Sequence, residues 1–207
     1  MPDTPPQPIY LKDYTAPAFL VDEVDLRFDL GEDFTTVRSR LKMRRNPDSA
    51  TAEAPLVLYG RDLELTGLRL DDEEIAASGY DVDEEELRIT TSLPESFRLE
   101  VTTRIRPQDN TSLEGLYKAG GIFCTQCEAQ GFRKITYYPD RPDVMASYTT
   151  TIVADRQKYP VLLSNGNLVH SEDLGDGRHL ARWVDPFRKP SYLFALVAGD
   201  LVRIEDS

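Results

Sequence analysis

The sequence is poor in the residues that bind soft metals, holding two cysteines and two histidines among 207 residues. Two cysteines do not make a disulfide scaffold, and reduced thiols suit the cytoplasm, which is the expected location. Long apolar runs are missing too. No stretch approaches the roughly 18 residues that cross a bilayer, so no membrane partner is expected. The opening Met1-Pro-Asp-Thr-Pro-Pro-Gln-Pro8 has neither a basic nor an apolar signal region. Positive charge is also scarce. Twenty-four Lys and Arg against thirty-six Asp and Glu give a net charge of −12, which repels phosphates and argues against a nucleic-acid partner. Finally, the chain has no H-E-x-x-H, no G-x-S-x-G and no phosphate-loop glycine pattern. Its own residues offer no complete catalytic constellation, so no catalytic residue and no metal ligand is expected in this chain.

What remains is strand-forming sequence. Four prolines in the first eight residues cannot sustain a helix, so residues 1–8 read as a mobile tail and 9–207 as the ordered domain. From Val24 to Leu30 apolar Val24, Leu26, Phe28 and Leu30 alternate with Asp25, Arg27 and Asp29, the period of a half-buried strand. Similar alternation marks Val37 to Met43, Leu63 to Leu70, Leu87 to Ile89 and Phe97 to Ile105. Turn formers at Asn46-Pro47-Asp48, Gly60, Asp71-Asp72 and Pro94 separate these runs, which points to antiparallel meanders. Strand rhythm returns at Ser147 to Ala154 and Val161 to Leu163. Asn165-Gly166 then signals a hairpin into Asn167 to His170, and Gly175-Asp176-Gly177 another before His179 to Val184. The last run, Tyr192 to Val202, is apolar enough for a strand covered on both faces. Because the chain ends shortly after it, further sequence is expected to follow. The fold class expected is all-β, a sandwich of mostly antiparallel strands.

Residues Pro107 to Pro142 break the rhythm and read as a long ordered loop region holding both cysteines. Loops of that length in compact domains are uncommon unless functional, so function is to be sought here first. Cys124-Thr-Gln-Cys127 is a C-x-x-C, yet it has neither two further ligands nearby nor a βαβ setting. It reads as a pair of reduced cysteines packed in a loop. His170 and His179 fall in hairpin strands among polar residues and receive no role. Asp140-Arg141-Pro142-Asp143 reads as structural, with an Asp capping a short turn and Arg141 pairing with either carboxylate. The acidic runs Asp71 to Glu74 and Asp81 to Glu86 read as solvated turns.

The loop region also carries a resemblance. Leu113-Glu-Gly-Leu-Tyr117, Cys124-Thr-Gln-Cys-Glu-Ala-Gln-Gly-Phe-Arg133 and Ile135-Thr-Tyr-Tyr-Pro-Asp-Arg-Pro-Asp143 resemble the amino-terminal domain of bacterial and plant aminopeptidase N. Leu162 to Asn167, Trp183 to Phe187, Lys189 to Asp200 and Tyr14 to Phe19 are similar to the same family, in collinear order. The resemblance implies a saddle-shaped β domain packed against a thermolysin-like catalytic domain of the same polypeptide, to whose active site it lends one loop. It also implies zinc in the full-length enzyme, held by motifs absent here, with no cofactor in this chain. Gln126 and Glu128 match the family's T-Q-x-E loop, whose side chains line the pocket for the amino terminus of a peptide substrate. A carboxylate held in a water-poor cleft recognises a free α-ammonium by a charge-assisted hydrogen bond. The expected function is that of a substrate-binding and scaffolding domain of a zinc aminopeptidase that removes single residues. A stand-alone β-sandwich binding a carbohydrate or protein partner is the alternative, marked by a closed polar surface with an aromatic groove. A metal or redox protein built on Cys124 and Cys127 is the third reading.

Overall fold

Where the sequence alternates, the backbone is extended. The computed structural model describes residues 10–50, 54–202 and 204, so the expected tail at 1–8 lies outside the described residues. In chain order the strands are β1 (Phe19–Asp29), β2 (Thr35–Arg45), β3 (Leu56–Tyr59), β4 (Glu64–Leu70) and β5 (Glu73–Glu74). They continue as β6 (Tyr80–Val82), β7 (Glu86–Ile89), β8 (Ser96–Ile105), β9 (Gly115–Ala119) and β10 (Ile122–Gln126). The last five are β11 (Met145–Asp155), β12 (Val161–Ser164), β13 (Asn167–Asp173), β14 (Arg178–Pro190) and β15 (Leu196–Gly199). Helical structure among the described residues is limited to single 3-10 turns, and none is long or apolar enough to cross a membrane.

An eight-stranded sheet runs β13-β14-β11-β1-β2-β8-β4-β5, a four-stranded sheet β12-β15-β10-β9 and a three-stranded sheet β3-β7-β6. The β1/β11 pair is parallel and the other ladders are antiparallel. In β1 the apolar positions switch parity, from Phe19 and Val21 to Val24, Leu26 and Phe28. The ladder to β2 slips at that point, between Val21 and Glu23. A bulge at Asp22 thus keeps both sets on the core face, which an unbroken ladder would not do. One contiguous core draws on all three sheets, among others through Leu26 and Val101, Leu58 and Ile89, and Phe123 and Leu196. Phe132, in the irregular segment after β10, packs on Tyr138 with ring centroids 5.0 Å apart and on Phe194 at 5.4 Å. Phe194 in turn stacks on Phe28 of β1.

Several expectations change in detail. The middle of the 107–142 region is a hairpin, β9 to β10, turned by Gly120 and Gly121, both at positive φ. Asn165-Gly166 does not close a hairpin: β12 pairs with β15 whereas β13 pairs with β14, so the dipeptide is the corner where the chain changes sheets. The final run is shorter than its apolar length suggests. Ser191–Leu193 is a 3-10 turn, Phe194 turns into the core, and only Leu196–Gly199 is a strand. The Gly175-Asp176-Gly177 hairpin is present between β13 and β14. Asp71 and Asp72 form an exposed turn at positive φ, although Glu73 and Glu74 after it pair as β5. Arg141 pairs with Asp143, at 2.6 Å, whereas Asp140 is buried against Arg133 and accepts a hydrogen bond from Ser191 Oγ.

Candidate functional site

Strand β10 ends at Gln126, which pairs with Gly115 in the last rung of the β9/β10 ladder. Beyond that rung the side chains alternate: Gln126 is exposed, Cys127 is buried and Glu128 is exposed again. The two expected site residues therefore share one loop and both face outward, with Cys127 between them anchored in the core. The Glu128–Ala129 peptide bond is cis. Gly131 N donates to Cys127 O at 2.8 Å and closes the loop, and fully buried Phe132 anchors its far side.

The base of this loop is tightly packed. A Cβ at Gly131 would stand 2.4 Å from Gln126 O and 2.9 Å from Gly115 N, closer than non-bonded atoms approach, so only glycine fits. Gly115 has φ +71°, and a Cβ there would meet Lys134 Cβ at 2.7 Å and Gly131 O at 2.9 Å. The exposed tip is thus carried on a backbone crossing with no spare room.

Glu128 has no hydrogen bond or ion pair among the described residues. The two cations that follow it are both engaged elsewhere. Arg133 Nε meets Asp140 Oδ2 at 3.1 Å, and Lys134 Nζ meets Ser112 Oγ at 2.9 Å, Asp62 Oδ2 at 3.2 Å and Glu114 Oε2 at 3.4 Å. A cleft of about 550 Å³ is bounded by Asp62, Arg104, Asn110, Ser112 and Lys134. Neither Gln126 nor Glu128 lines it. The arrangement offers an unneutralised carboxylate and a primary amide on a fixed loop, a donor–acceptor set suited to a cation rather than an anion.

The C-x-x-C pair is divided between the ladder and the core. Both thiols are free, Cys124 lies in the ladder opposite Tyr117, and burial, with Asp140 nearby, pushes the Cys127 thiol far above its ordinary range. A thiol held protonated is neither nucleophile nor metal ligand. Among the described residues no group of three or more His, Cys, Asp or Glu side chains is placed to hold a metal ion, so these residues do not fit a zinc site. His170 is exposed beside Glu172, and His179 Nε2 lies 2.8 Å from Tyr159 O. Neither approaches the loop in sequence or by contact.

A family model described as the peptidase M1 N-terminal domain matches residues 23–193. The chain belongs to this family. As an M1 N-terminal domain it is 48% identical over 202 residues to aminopeptidase N of Escherichia coli K12, covering 98% of this chain and 22% of that protein. It is 49% identical over 201 residues to aminopeptidase N of Caulobacter vibrioides, covering 97% of this chain and 23% of that one. Aminopeptidase A of Legionella pneumophila, solved in complex with aspartic acid, superposes with a TM-score of 0.87 at 37% identity, over 93% of this chain and 22% of that one. The M1 zinc metallopeptidase of Deinococcus radiodurans shares the fold, with a TM-score of 0.74 at 16% identity over 89% of this chain and 43% of its own. The M1 N-terminal domain seen here spans less than a quarter of the length of these aminopeptidase N relatives. Sequence reasoning alone did not single out Gly115, Gly131 and Lys134, which build the base of the loop. The signal available was two glycines outside any hairpin turn, flanking a hairpin.

Proposed function

We propose that this domain is part of a cytoplasmic zinc aminopeptidase that removes single residues from peptide amino termini, and that Glu128 and Gln126 receive the substrate's amino terminus. The observation that carries the reading is the free carboxylate of Glu128 on a loop whose base admits no side chain. An unpaired carboxylate on a constrained backbone gives up no existing partner when it takes an α-ammonium, and Gln126, two residues before it, supplies an amide wall. Zinc belongs to another part of the polypeptide, and this chain's side chains bind and orient without taking part in bond cleavage. Exposed Leu163 is paired within the β12/β15 ladder, and exposed Leu193 and Val202 lie just before and just after β15. They supply apolar surface for the catalytic domain of the same polypeptide to cover. The peptidase relatives favour this reading over a separate carbohydrate- or protein-binding module.

The test is Glu128→Ala in the full-length enzyme, assayed with aminoacyl anilides. Loss of one charge-assisted hydrogen bond, about 1.5–3 kcal/mol, raises KM by about 10- to 150-fold, and the preference for a free over an acetylated amino terminus falls with it. Steady-state constants equal to those of the parent enzyme overturn the assignment.

A further inference from the structure

Lys134 is an unusual lysine. Its side chain is only 10% exposed, and its ammonium meets three oxygens from two separate segments. Ser112 Oγ and Glu114 Oε2 come from the approach to β9, and Asp62 Oδ2 from the β3–β4 connection. The ammonium donates a hydrogen bond to Ser112 Oγ and forms ion pairs with the two carboxylates. Each segment is tied down a second time. Asn110 Nδ2 donates to Glu114 O at 2.7 Å and Leu116 O at 3.0 Å, Ser112 Oγ donates to Asn110 Oδ1 at 2.8 Å, and Arg61 N donates to Arg133 O at 3.0 Å. Lys134 itself touches the base of the Glu128 loop twice, because its backbone N donates to Gly131 O at 3.0 Å and its Cβ fills the space a Cβ on Gly115 would need.

We propose that Lys134 is a positioning residue for Glu128: its ammonium braces Asp62 and the Ser112–Glu114 segment against the Gly115–Gly131 crossing from which the Glu128 loop projects. The proposal rests on the reading of Glu128 given above. Without the ammonium, the two segments lose the side chain that bonds to both: Asp62 and Glu114 are solvent-exposed and are taken up by water, and the Ser112 hydrogen bond at the crossing is gone. The Gly115–Gln126 rung shifts with the loss of that brace. A displacement near 1 Å at a binding group costs on the order of 100-fold, so a partial shift of this loop is felt at the substrate even though Lys134 does not touch it.

The experiment is a double-mutant cycle in the full-length enzyme with an aminoacyl anilide as substrate. Lys134→Met is expected to raise KM about 10-fold and leave kcat within about twofold. Lys134→Arg, which keeps the charge and several donors, restores most of the loss. In the Glu128→Ala background Lys134→Met raises KM by well under its full factor in the parent, the remainder passing through Gln126 on the same rung. An additive effect in that background, or no effect of Lys134→Met in the parent, overturns the proposal while Glu128→Ala still shows its own loss. If Glu128→Ala itself changes nothing, the underlying reading has failed instead. Should Lys134→Met not fold, Glu114→Gln removes one strut and is read through the same cycle.

Discussion

Asp140 and Asp143 stand three residues apart and meet different cations. Asp140 is buried, with Arg133 on one oxygen and Ser191 Oγ at 2.6 Å on the other, so it links the turn after the Glu128 loop to the 3-10 turn before β15. Asp143 is more open. Its carboxylate faces Arg141 and the Tyr14 hydroxyl, and Arg141 Nη2 also donates to Thr15 O, so the pair straps the residues before β1 to the loop before β11. Burial raises the Asp143 carboxyl, but Arg141 and Tyr14 outweigh it and hold the group below the ordinary aspartate range. A depressed folded value gives stability that is fully present above the unfolded value of about 3.9 and is lost as pH falls through the folded one. The parent chain is therefore expected to exceed Asp143→Asn by roughly 1 kcal/mol at neutral pH, the upper end for an accessible pair. The difference closes as pH falls from about 3.9 through the depressed folded value, as urea titrations from pH 7 into the acid range would show. Parallel curves would mean that the pair contributes nothing to the acid limb. Composition did not point to these assignments, because Arg141 lies within two residues of both aspartates in sequence and only the chain path decides which one it meets. Glu128 was equally hidden among thirty-six acids. Its motif singled it out, whereas its lack of a partner is visible only once Arg133 and Lys134 are seen to be occupied.

Elements were legible in proportion to their alternation. β1, β2 and β8 have one apolar and one polar face along most of their length, and the pattern fixes both their existence and the side they bury. β3 is four consecutive apolar or aromatic residues, Leu56 to Tyr59, with no period to detect. β9 and β10 have five residues each and no sustained alternation. Asn165-Gly166 shows a different limit, since the dipeptide specifies a backbone conformation and not the strands on either side of it. Gly166 takes φ +85°, and a Cβ there would stand 2.2 Å from Val184 O, so the glycine is required for the close approach to β14. Asn165 is used through its side chain, which donates to Leu193 O at 3.1 Å and accepts from Ala195 N at 2.7 Å. It thereby fixes the lead into β15 from the β12 side. Asn165→Ala leaves both backbone groups without that partner and is expected to cost about 1–2 kcal/mol. A lower urea midpoint with an unchanged slope, and faster hydrogen exchange at the Ala195 amide, would confirm the link. An unaltered Ala195 exchange rate would show that the corner is held by the backbone alone.

Across the whole molecule, the ordering of the strands could not be read from local sequence at all. β1 pairs in parallel with β11, so residues more than a hundred positions apart must meet before the centre of the large sheet exists. Pairing of this kind has a high loop-closure cost and folds slowly. It also means that no early part of the chain can complete the large sheet by itself. The core points the same way, because its buried residues form one cluster running from Phe19 to Ala198 and shared by all three sheets. Trp183 offers a direct probe of whether they separate. It is the single tryptophan; it lies in β14 of the eight-stranded sheet, and its Nε1 donates to Leu162 O in β12 of the four-stranded sheet at 3.1 Å. Its fluorescence therefore follows the docking of one sheet on the other, whereas far-UV circular dichroism follows the ladders within them. If the shared core makes the domain one cooperative unit, the two signals fall together in urea with a common slope of about 2–3 kcal/mol/M, the upper part of the range for small domains. A fluorescence change at lower urea than the loss of circular dichroism would mean that the four-stranded sheet, which carries Gln126 at the end of β10, undocks while the large sheet survives. The Glu128 loop would then rest on a separately mobile layer, and the fixed geometry on which its binding role depends would have to come from the neighbouring domain.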